Sequence, residues 1–336
     1  MDSSSASHKD ALRFLITGAK GFIGSWIVKR LVERGERPWI FDLDRESHRL
    51  RALLSDEEMA RVSFVQGDVT NLGELDRAVA EHGITHLIHL AAVQVPACAA
   101  NPRLGAEINV IGTLNAFEVA RRRRDLVKRI VYASSAAVFG PEEFYGKSTV
   151  PEGAQLEPGT HYGVFKQCNE GNARVFYQVD GISSVGVRPW AVYGVGRDVG
   201  VTSGPTKAIK AAVVGRDYTI RFTGGLDLQY VKDTAEIFLR CAESELTGAR
   251  VYTLRGEVTR VEDFVAVLEC EMPQARGRIR ALGPPLPIAY NLDNSALVHD
   301  LGEIPNTPLA EGIRETREVF ERLRDAGKLS SDDLAT

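Results

Sequence analysis

Short apolar runs alternate with longer amphipathic stretches along the first half of the chain. The runs span residues 12–16, 38–42, 62–68, 86–92, 129–134 and 184–188. Apolar positions at helical spacing between them predict helices over 22–34, 72–82 and 103–122, and a further helix that carries Tyr162 and Lys166. Buried strands that alternate with helices predict βαβ units and a parallel, doubly wound α/β sheet. Ligands of such sheets bind at the carboxyl ends of the strands.

The pattern loosens beyond Pro189. Glycine and proline cluster in 194–205 and 283–287, and two helical stretches lie near 206–214 and 261–271. We therefore predict a dinucleotide-binding domain over 12–188. Residues 189–328 are expected to form mainly a smaller substrate-binding lobe, of which some elements return to the sheet.

Composition narrows the class of protein. The 336 residues are 44% hydrophobic and 26% charged, with a formal net charge of −4, so no global field attracts nucleic acid or an anionic membrane. The run Arg121–Arg124 follows an apolar-periodic segment and is interpreted as a solvated helix C-terminus. We expect no nucleic-acid partner.

The sequence shows no pattern typical of a membrane helix, a signal peptide or a metal site. No window is apolar enough for a membrane helix, and residues 1–10 lack the apolar core of a signal peptide. The four cysteines form no CxxC or metal-ligand spacing: Cys98, Cys168, Cys241 and Cys270. We expect free thiols, no metal, no membrane association and a cytoplasmic location.

A glycine-rich turn follows the first strand as Thr17-Gly-Ala-Lys-Gly-Phe-Ile-Gly24. Gly18 and Gly21 let the backbone approach a pyrophosphate, which then lies at the helix N-terminus formed by Phe22 and Ile23. The spacing G-x-x-G-x-x-G meets the general G-x-G-x-x-G fingerprint only in part. We assign Gly18, Gly21, Phe22 and Ile23 to cofactor binding.

Acidic residues at the next two strand ends indicate which nucleotide binds. Asp42 can accept hydrogen bonds from the adenosine ribose, and it would repel an extra ribose phosphate. NAD is therefore favoured over NADP, although Arg45 partly offsets the effect. Asp68 and Val69 either flank the adenine or form an ordinary turn.

Tyr162 and Lys166 stand four residues apart and share a helix face. A free tyrosine titrates near pH ~10 and is a poor base at neutrality. A cation beside it favours the phenolate and makes the ring oxygen a proton shuttle. The pair predicts acid–base chemistry in the cofactor cleft.

Several further motifs occur in a fixed order together with this pair. They are Gly67-Asp68, His89-Leu-Ala-Ala92, Asn109-Val-x-Gly-Thr113, Ser134-Ser135 and Arg188-Pro-x-x-Val-Tyr-Gly194. With the glycine turn, they resemble the extended short-chain dehydrogenase/reductase family of NAD-dependent sugar epimerases and dehydratases. The resemblance covers roughly residues 12 to 240.

The resemblance implies roles for individual residues. Tyr162 is the general acid/base, Lys166 binds the nicotinamide ribose and lowers the Tyr162 pKa, and Ser135 hydrogen-bonds the reacting oxygen. Ala91 and Ala92 line the path of the cofactor, and Pro189 borders its nicotinamide end. Family members typically form a homodimer through the helix that carries Tyr162 and the one that ends near Arg121.

Departures from the family pattern reduce the range of possible substrates. The acidic pair of the dehydratases is replaced by Ala136-Ala137, which excludes their elimination chemistry. Three positions that usually contact a nucleotide diphosphate are changed: Ala191 stands for Asn, Leu226 stands for Arg, and Pro285–Tyr290 replaces an Arg-Pro-Gly-Asp motif. Arg197 or Lys207 are candidates to pair with a carboxylate.

The leading hypothesis is an NAD-dependent dehydrogenase or epimerase that acts on a carbinol carbon of a small carbohydrate or sugar acid. One alternative is a nucleotide-sugar epimerase with atypical diphosphate contacts. The other, from a different class, is a non-catalytic NAD-binding regulator.

Overall fold

The computed structural model describes residues 12–146 and 148–335, so the polar segment 1–10 lies outside it. The strands of this part of the chain are β1 (Phe14–Thr17), β2 (Trp39–Asp42), β3 (Ser63–Gln66), β4 (His86–His89), β5 (Arg129–Ala133), β6 (Ser184–Arg188), β7 (Ala191–Tyr193), β8 (Tyr218–Ile220), β9 (Gly225–Tyr230), β10 (Ala249–Thr253), β11 (Glu257–Arg260) and β12 (Ile279–Ala281).

The α-helices connect these strands and cover both faces of the main sheet. They are α1 (Phe22–Glu33), α2 (His48–Leu53), α3 (Asp56–Met59), α4 (Leu72–Glu81), α5 (Val95–Ala100), α6 (Pro102–Ala106), α7 (Gly112–Arg122), α8 (His161–Asp180), α9 (Gly204–Val213), α10 (Val231–Glu243), α11 (Val261–Glu271), α12 (Ser295–Leu301) and α13 (Leu309–Asp325). None of the helices within 12–146 or 148–335 is long and apolar enough to cross a membrane.

The main sheet has seven parallel strands in the order β10-β6-β5-β4-β1-β2-β3. The chain runs outward from β1 to β3 and then returns to the other side of β1, where β4 pairs with it in parallel. This reversal leaves a crevice at the carboxyl ends of β1 and β4, the usual ligand position in such sheets. The predicted parallel α/β sheet is confirmed.

Successive side chains of β1 point to opposite faces of the sheet and contribute to two separate hydrophobic cores. Phe14 and Ile16 belong to the core under α1 and α10, whereas Leu15 belongs to the core under α4 and α7. All three side chains are at most 2% exposed. A strand buried on both faces must be apolar at successive positions, which is why these strands appear in the sequence as continuous apolar runs.

The segment beyond Pro189 contributes to two parts of the molecule. β10 joins the main sheet beside β6, and α10 packs on α1. The remaining strands form a three-stranded sheet, β11-β9-β7, and a two-stranded sheet, β12-β8. The division into domains at residue 188, with some later elements returning to the sheet, stays a prediction.

The helix predicted over 103–122 contains an irregularity. A π-helical turn occupies Glu107–Ile111 between α6 and α7. It carries the buried Asn109, whose amide accepts from the Val93 N–H at 2.8 Å and donates to the Val93 carbonyl at 2.9 Å. These two bonds fix the loop that follows β4 at the crevice.

The arginine run ends α7 as the sequence indicated. Glu118 pairs with Arg121 and Arg122, and Asp76 pairs with Arg123 at 2.8 Å. Arg124 donates to the carbonyl of Asp180 at 3.2 Å. All four guanidinium groups therefore have local partners.

Candidate active site

A cavity of about 960 Å³ lies at the carboxyl ends of the central strands. Every residue assigned from the sequence to catalysis or cofactor binding lines it: Gly18, Gly21, Phe22, Ile23, Asp42, Asp68, Val69, Ala91, Ala92, Ser135, Tyr162, Lys166 and Pro189. Their separate roles stay predictions, but the structure brings all of them to one site.

The glycine turn can hold a dinucleotide phosphate. Gly18 has φ +68°, and a Cβ there would lie 2.7 Å from the Cα of Ala91, so no side chain fits. Gly21 caps α1 without a side-chain hydrogen bond, and the first turn of α1 has no acidic residue. The N–H groups of this helix end are therefore available to an anion.

The acidic residues near the turn are held by nearby groups. The Asp42 carboxylate accepts from the N–H of Leu43 at 3.0 Å and from the N–H of Lys20 at 3.4 Å. The Lys20 ammonium lies 2.6 Å from Asp44 and 3.7 Å from Asp42. The Asp42 carboxylate thus stands at the cavity wall where the prediction places a ribose. These residues and the glycine turn together fit NAD.

Asp68 and Val69 lie where the chain leaves β3. An Asp68 carboxylate oxygen accepts from the Thr70 N–H at 2.9 Å, and Asn115 donates to the carbonyl of Val69 at 2.8 Å. Asp68 therefore forms a local turn and also lines the cavity. Both interpretations of this segment are compatible with its geometry.

Close packing brings the N-terminus of α8 to the reacting groups. The Thr160 hydroxyl caps the helix by accepting from the Gly163 N–H at 3.1 Å. A Cβ at Gly163 would overlap the carbonyl oxygen of Ala137, so the helix approaches the turn after Ser135 only because residue 163 is glycine. Ser135 is held there by the Ala137 N–H, which donates to its hydroxyl at 3.1 Å.

Burial dominates the electrostatics of the Tyr162–Lys166 pair. Burial raises the Tyr162 pKa, whereas the neighbouring Ser135 hydroxyl and the Arg197 guanidinium lower it. Burial also lowers the Lys166 pKa to about 8. The Lys166 ammonium donates to the Ala133 carbonyl at 2.7 Å and lies 5.4 Å from the centre of the Tyr162 ring. The pair meets in the cavity, and the lowering of the Tyr162 pKa by Lys166 stays a prediction.

Ser134 supports the site from below. Its hydroxyl donates to Glu170 at 2.5 Å, and Glu170 forms a buried ion pair with Arg188 at 2.6 Å. This network ties β5, α8 and β6 together beneath the cavity floor. Both serines line the cavity, and the Ser134 hydroxyl is taken up by this buried network.

Other lining residues were not assigned from the sequence. They come from α2, from the loops after β4 and β7, and from the segment after β12: Arg49, Gln94, Thr202, Leu286, Pro287 and Ile288. No local motif marks them, because tertiary folding alone brings these distant loops to the cavity mouth. The residues described contain no group of three or more His, Cys, Asp or Glu side chains that could hold a metal ion.

Comparison with known proteins shows the family of the chain. The model of the NAD dependent epimerase/dehydratase family matches residues 14–254. The chain belongs to this family. It is an enzyme of the extended short-chain type, an NAD-dependent epimerase or dehydrogenase, so the alternative of a non-catalytic NAD-binding regulator is set aside.

The proteins that this chain resembles in sequence or in fold have more than one activity. A UDP-glucose 4-epimerase of Mycolicibacterium smegmatis (strain ATCC 700084 / mc(2)155) is 28% identical, with 92% of this chain and 98% of the relative covered. The structure of a Thermus thermophilus UDP-glucose 4-epimerase in complex with NAD is 27% identical with a TM-score of 0.75, covering 92% of this chain and 99% of that one. An L-threonine dehydrogenase from Cupriavidus necator shares the fold at 24% identity and a TM-score of 0.78, over 91% and 99% of the two chains.

Proposed function

We propose that this family member oxidises a carbinol carbon of a small carbohydrate or sugar acid, either as a net dehydrogenase or as an epimerase that reduces the product again. The observation that carries the proposal is the meeting of Tyr162, Ser135 and Lys166 with the glycine turn in one cavity. NAD-dependent oxidation of a carbinol needs a glycine turn and an acidic strand end to hold the cofactor, and an acid–base pair to move the proton.

In the proposed mechanism, Gly18, Gly21 and Asp42 hold NAD, which supplies the hydride acceptor when bound. The Tyr162 hydroxyl oxygen, as phenolate, accepts the proton of the substrate hydroxyl. Ser135 donates a hydrogen bond to the same substrate oxygen as its charge changes. The Lys166 ammonium stabilises the negative charge on Tyr162.

The cavity lining argues against dehydration and against a nucleotide substrate. Ala136 and Ala137 line the cavity beside Ser135 and carry no group that can transfer a proton. Ala191 and Leu226, at positions that contact a diphosphate in related epimerases, are 1% and 0% exposed in the core and do not line the cavity. The segment Leu286–Ile288 does line it and is uncharged. A substrate without a nucleotide suits this lining.

Substitution of the proposed base tests the function. We expect Tyr162→Phe to lower kcat by about 10²- to 10⁴-fold, the usual contribution of a general acid/base, with NAD affinity unchanged. NADH absorbance with a panel of aldonates, uronates and sugars measures turnover, and fluorescence titration measures NAD binding. Full turnover by Tyr162→Phe would exclude the mechanism.

A nucleotide-sugar epimerase is the second candidate. The relative from Mycolicibacterium smegmatis, a UDP-glucose 4-epimerase matched over 92% of this chain, favours it. Isothermal titration of the NAD-loaded protein with UDP separates the two functions. Micromolar binding of UDP would support the nucleotide-sugar substrate, and no binding would support the smaller one.

We also infer a homodimer in the cytoplasm. Val164, Val175 and Val179 lie on one face of α8 and are 46%, 51% and 75% exposed, an apolar stripe that a second copy of the chain could cover. Sedimentation velocity of the full chain tests this, and a monomer at micromolar concentration would rule it out. The described cysteines are all free, which suits a reducing compartment.

A further inference from the structure

Arg197 lines the cavity from a tight loop after β7. Gly194 and Gly196 adopt positive φ values of 133° and 99°, and they turn the chain back toward the site. The guanidinium lies over the Phe22 ring, 5.8 Å from its centre. Phe22 begins α1 at the glycine turn, so Arg197 stands between the predicted cofactor site and the substrate end.

Arg197 differs from the other basic side chains of the cavity in its partners. Its Nη2 donates to the Thr202 hydroxyl at 2.9 Å, and its buried Nε has no hydrogen-bond partner within the described residues. The other basic side chains each have a partner: Lys20 with Asp44, His48 and Arg49 with Asp198, and Lys166 with the Ala133 carbonyl.

A guanidinium that lies in a cavity wall without an acidic partner favours the binding of an anion. Removing a charge from water is costly unless a partner of opposite charge replaces the lost hydration. No carboxylate within 12–146 or 148–335 forms an ion pair with Arg197. The planar guanidinium, with donors in a fixed fork, matches a carboxylate in particular.

Arg197 lies near Tyr162, so an anion bound to Arg197 would lie near the proposed acid–base group. Arg197 is close enough to Tyr162 for each group to affect the titration of the other. The Ser135 hydroxyl also lowers the pKa of Tyr162 and lines the same cavity. A small acid bound to Arg197 could therefore present a hydroxyl a few bonds away to Tyr162.

We propose that Arg197 binds the carboxylate of the substrate, so the substrate class is the small hydroxy acids rather than neutral sugars. This rests on the proposed function, which it narrows. Thr202 fixes one arm of the Arg197 guanidinium through Nη2, and no hydrogen bond within the described residues occupies Nη1, which is left for the acid. A ligand with a neutral amide in place of the carboxylate should lose this interaction.

Binding measurements test the proposal without requiring turnover. The melting temperature of the NAD-loaded protein is recorded with D-gluconate, D-galacturonate or L-threonine, and with the primary amide of each at equal concentration. We expect at least one acid to stabilise the protein more than its amide does. Arg197→Met keeps an aliphatic side chain of similar length. In this variant we expect the acid to stabilise the protein no more than its amide does. The affinity for the acid should fall by about 10- to 100-fold, which corresponds to the loss of one charge-assisted hydrogen bond.

Two control variants separate charge from folding. Arg216→Met makes the same substitution at an exposed arginine outside the cavity and should leave the acid preference unchanged. Arg197→Lys keeps the charge but loses the fork, and it should retain part of the preference.

Two outcomes would overturn the proposal. The first is that none of the three acids stabilises the wild-type protein more than its amide. The second is a tenfold loss of NAD affinity in Arg197→Met with the acid preference intact, which would assign Arg197 to the cofactor pyrophosphate. Neither readout depends on Tyr162, so failure here and failure of the proposed mechanism are distinguishable.

Discussion

The proton affinity of Tyr162 depends on a few groups around its hydroxyl. Burial raises its pKa, the Ser135 hydroxyl and Arg197 lower it, and the Cys98 thiol raises it further. Lys166, one helical turn away, lies 5.4 Å from the ring centre. In the oxidising direction Tyr162 must be deprotonated to accept a proton, so the rate should rise with pH through this pKa.

Ser135→Ala should therefore shift the pH–rate profile in a defined direction. Loss of the hydroxyl removes a group that lowers the Tyr162 pKa, so the rising limb of kcat/KM should move to higher pH. We also expect kcat to fall by about 10²- to 10³-fold, as for loss of one donor to a reacting oxygen. Initial rates of NADH formation from about pH 6 to about pH 10 measure both effects.

Ser135→Thr is the matched variant, because it keeps a hydroxyl at the same position and should keep the wild-type limb. A limb that moves to lower pH in Ser135→Ala would show that Ser135 does not favour the phenolate.

At the scale of the element, the position of Tyr162 and Lys166 in the cavity depends on how closely α8 approaches the turn after β5. Helical periodicity was enough to predict the helix and the face that these two residues share. The approach of Gly163 to the Ala137 carbonyl could not be predicted, because it depends on how two elements meet. The same limit applies to the Ser134–Glu170–Arg188 network, whose members stand far apart in the sequence.

Gly163→Ala should displace the N-terminus of α8 from Ser135. The new Cβ would meet a backbone carbonyl, which cannot move as freely as a side chain. We expect a loss of about 1–3 kcal/mol in the free energy of unfolding, typical of overpacking, together with a lower kcat. Urea denaturation and NADH assays measure the two effects.

Gly153→Ala serves as the control for this variant. Residue 153 is exposed, and a Cβ there has no atom within 4 Å, so stability and kcat should stay near the wild-type values. Equal stability of Gly163→Ala and Gly153→Ala would show that close packing at 163 is unimportant.

At the scale of the whole molecule, the sheet and the cofactor crevice were predictable from the order of apolar runs and motifs. The loops that close the cavity were not. Arg49 on α2 donates to the Gly196 carbonyl at 2.9 Å and to the Lys20 carbonyl at 3.2 Å, and it pairs with Asp198. These contacts join residues that lie far apart in the chain, and no local pattern identifies them.

This Arg49–Asp198 bridge connects the glycine turn to the loop that carries Arg197. Both side chains are mostly shielded, 17% and 19% exposed, so solvent screens their attraction only in part. Burial would raise the Asp198 pKa, but hydrogen bonds from Arg49 and His48 lower it overall, so Asp198 is charged at neutral pH. A charged bridge at the cavity mouth should slow the release of a dinucleotide bound beneath it.

Arg49→Met should release NADH faster. Without the bridge the loop after β7 is free to move away from the glycine turn, and we expect the dissociation rate to rise about tenfold, equivalent to ~1.4 kcal/mol. Stopped-flow displacement of fluorescent NADH by excess NAD measures this rate.

Arg51→Met is the control, since Arg51 lies on the same helix, 67% exposed and 3.9 Å from Glu46. An epimerase must retain NADH through its cycle and a dehydrogenase must release it, so faster release in Arg49→Met should favour net NADH accumulation. Equal release rates in the two variants would mean that the bridge does not retain the cofactor.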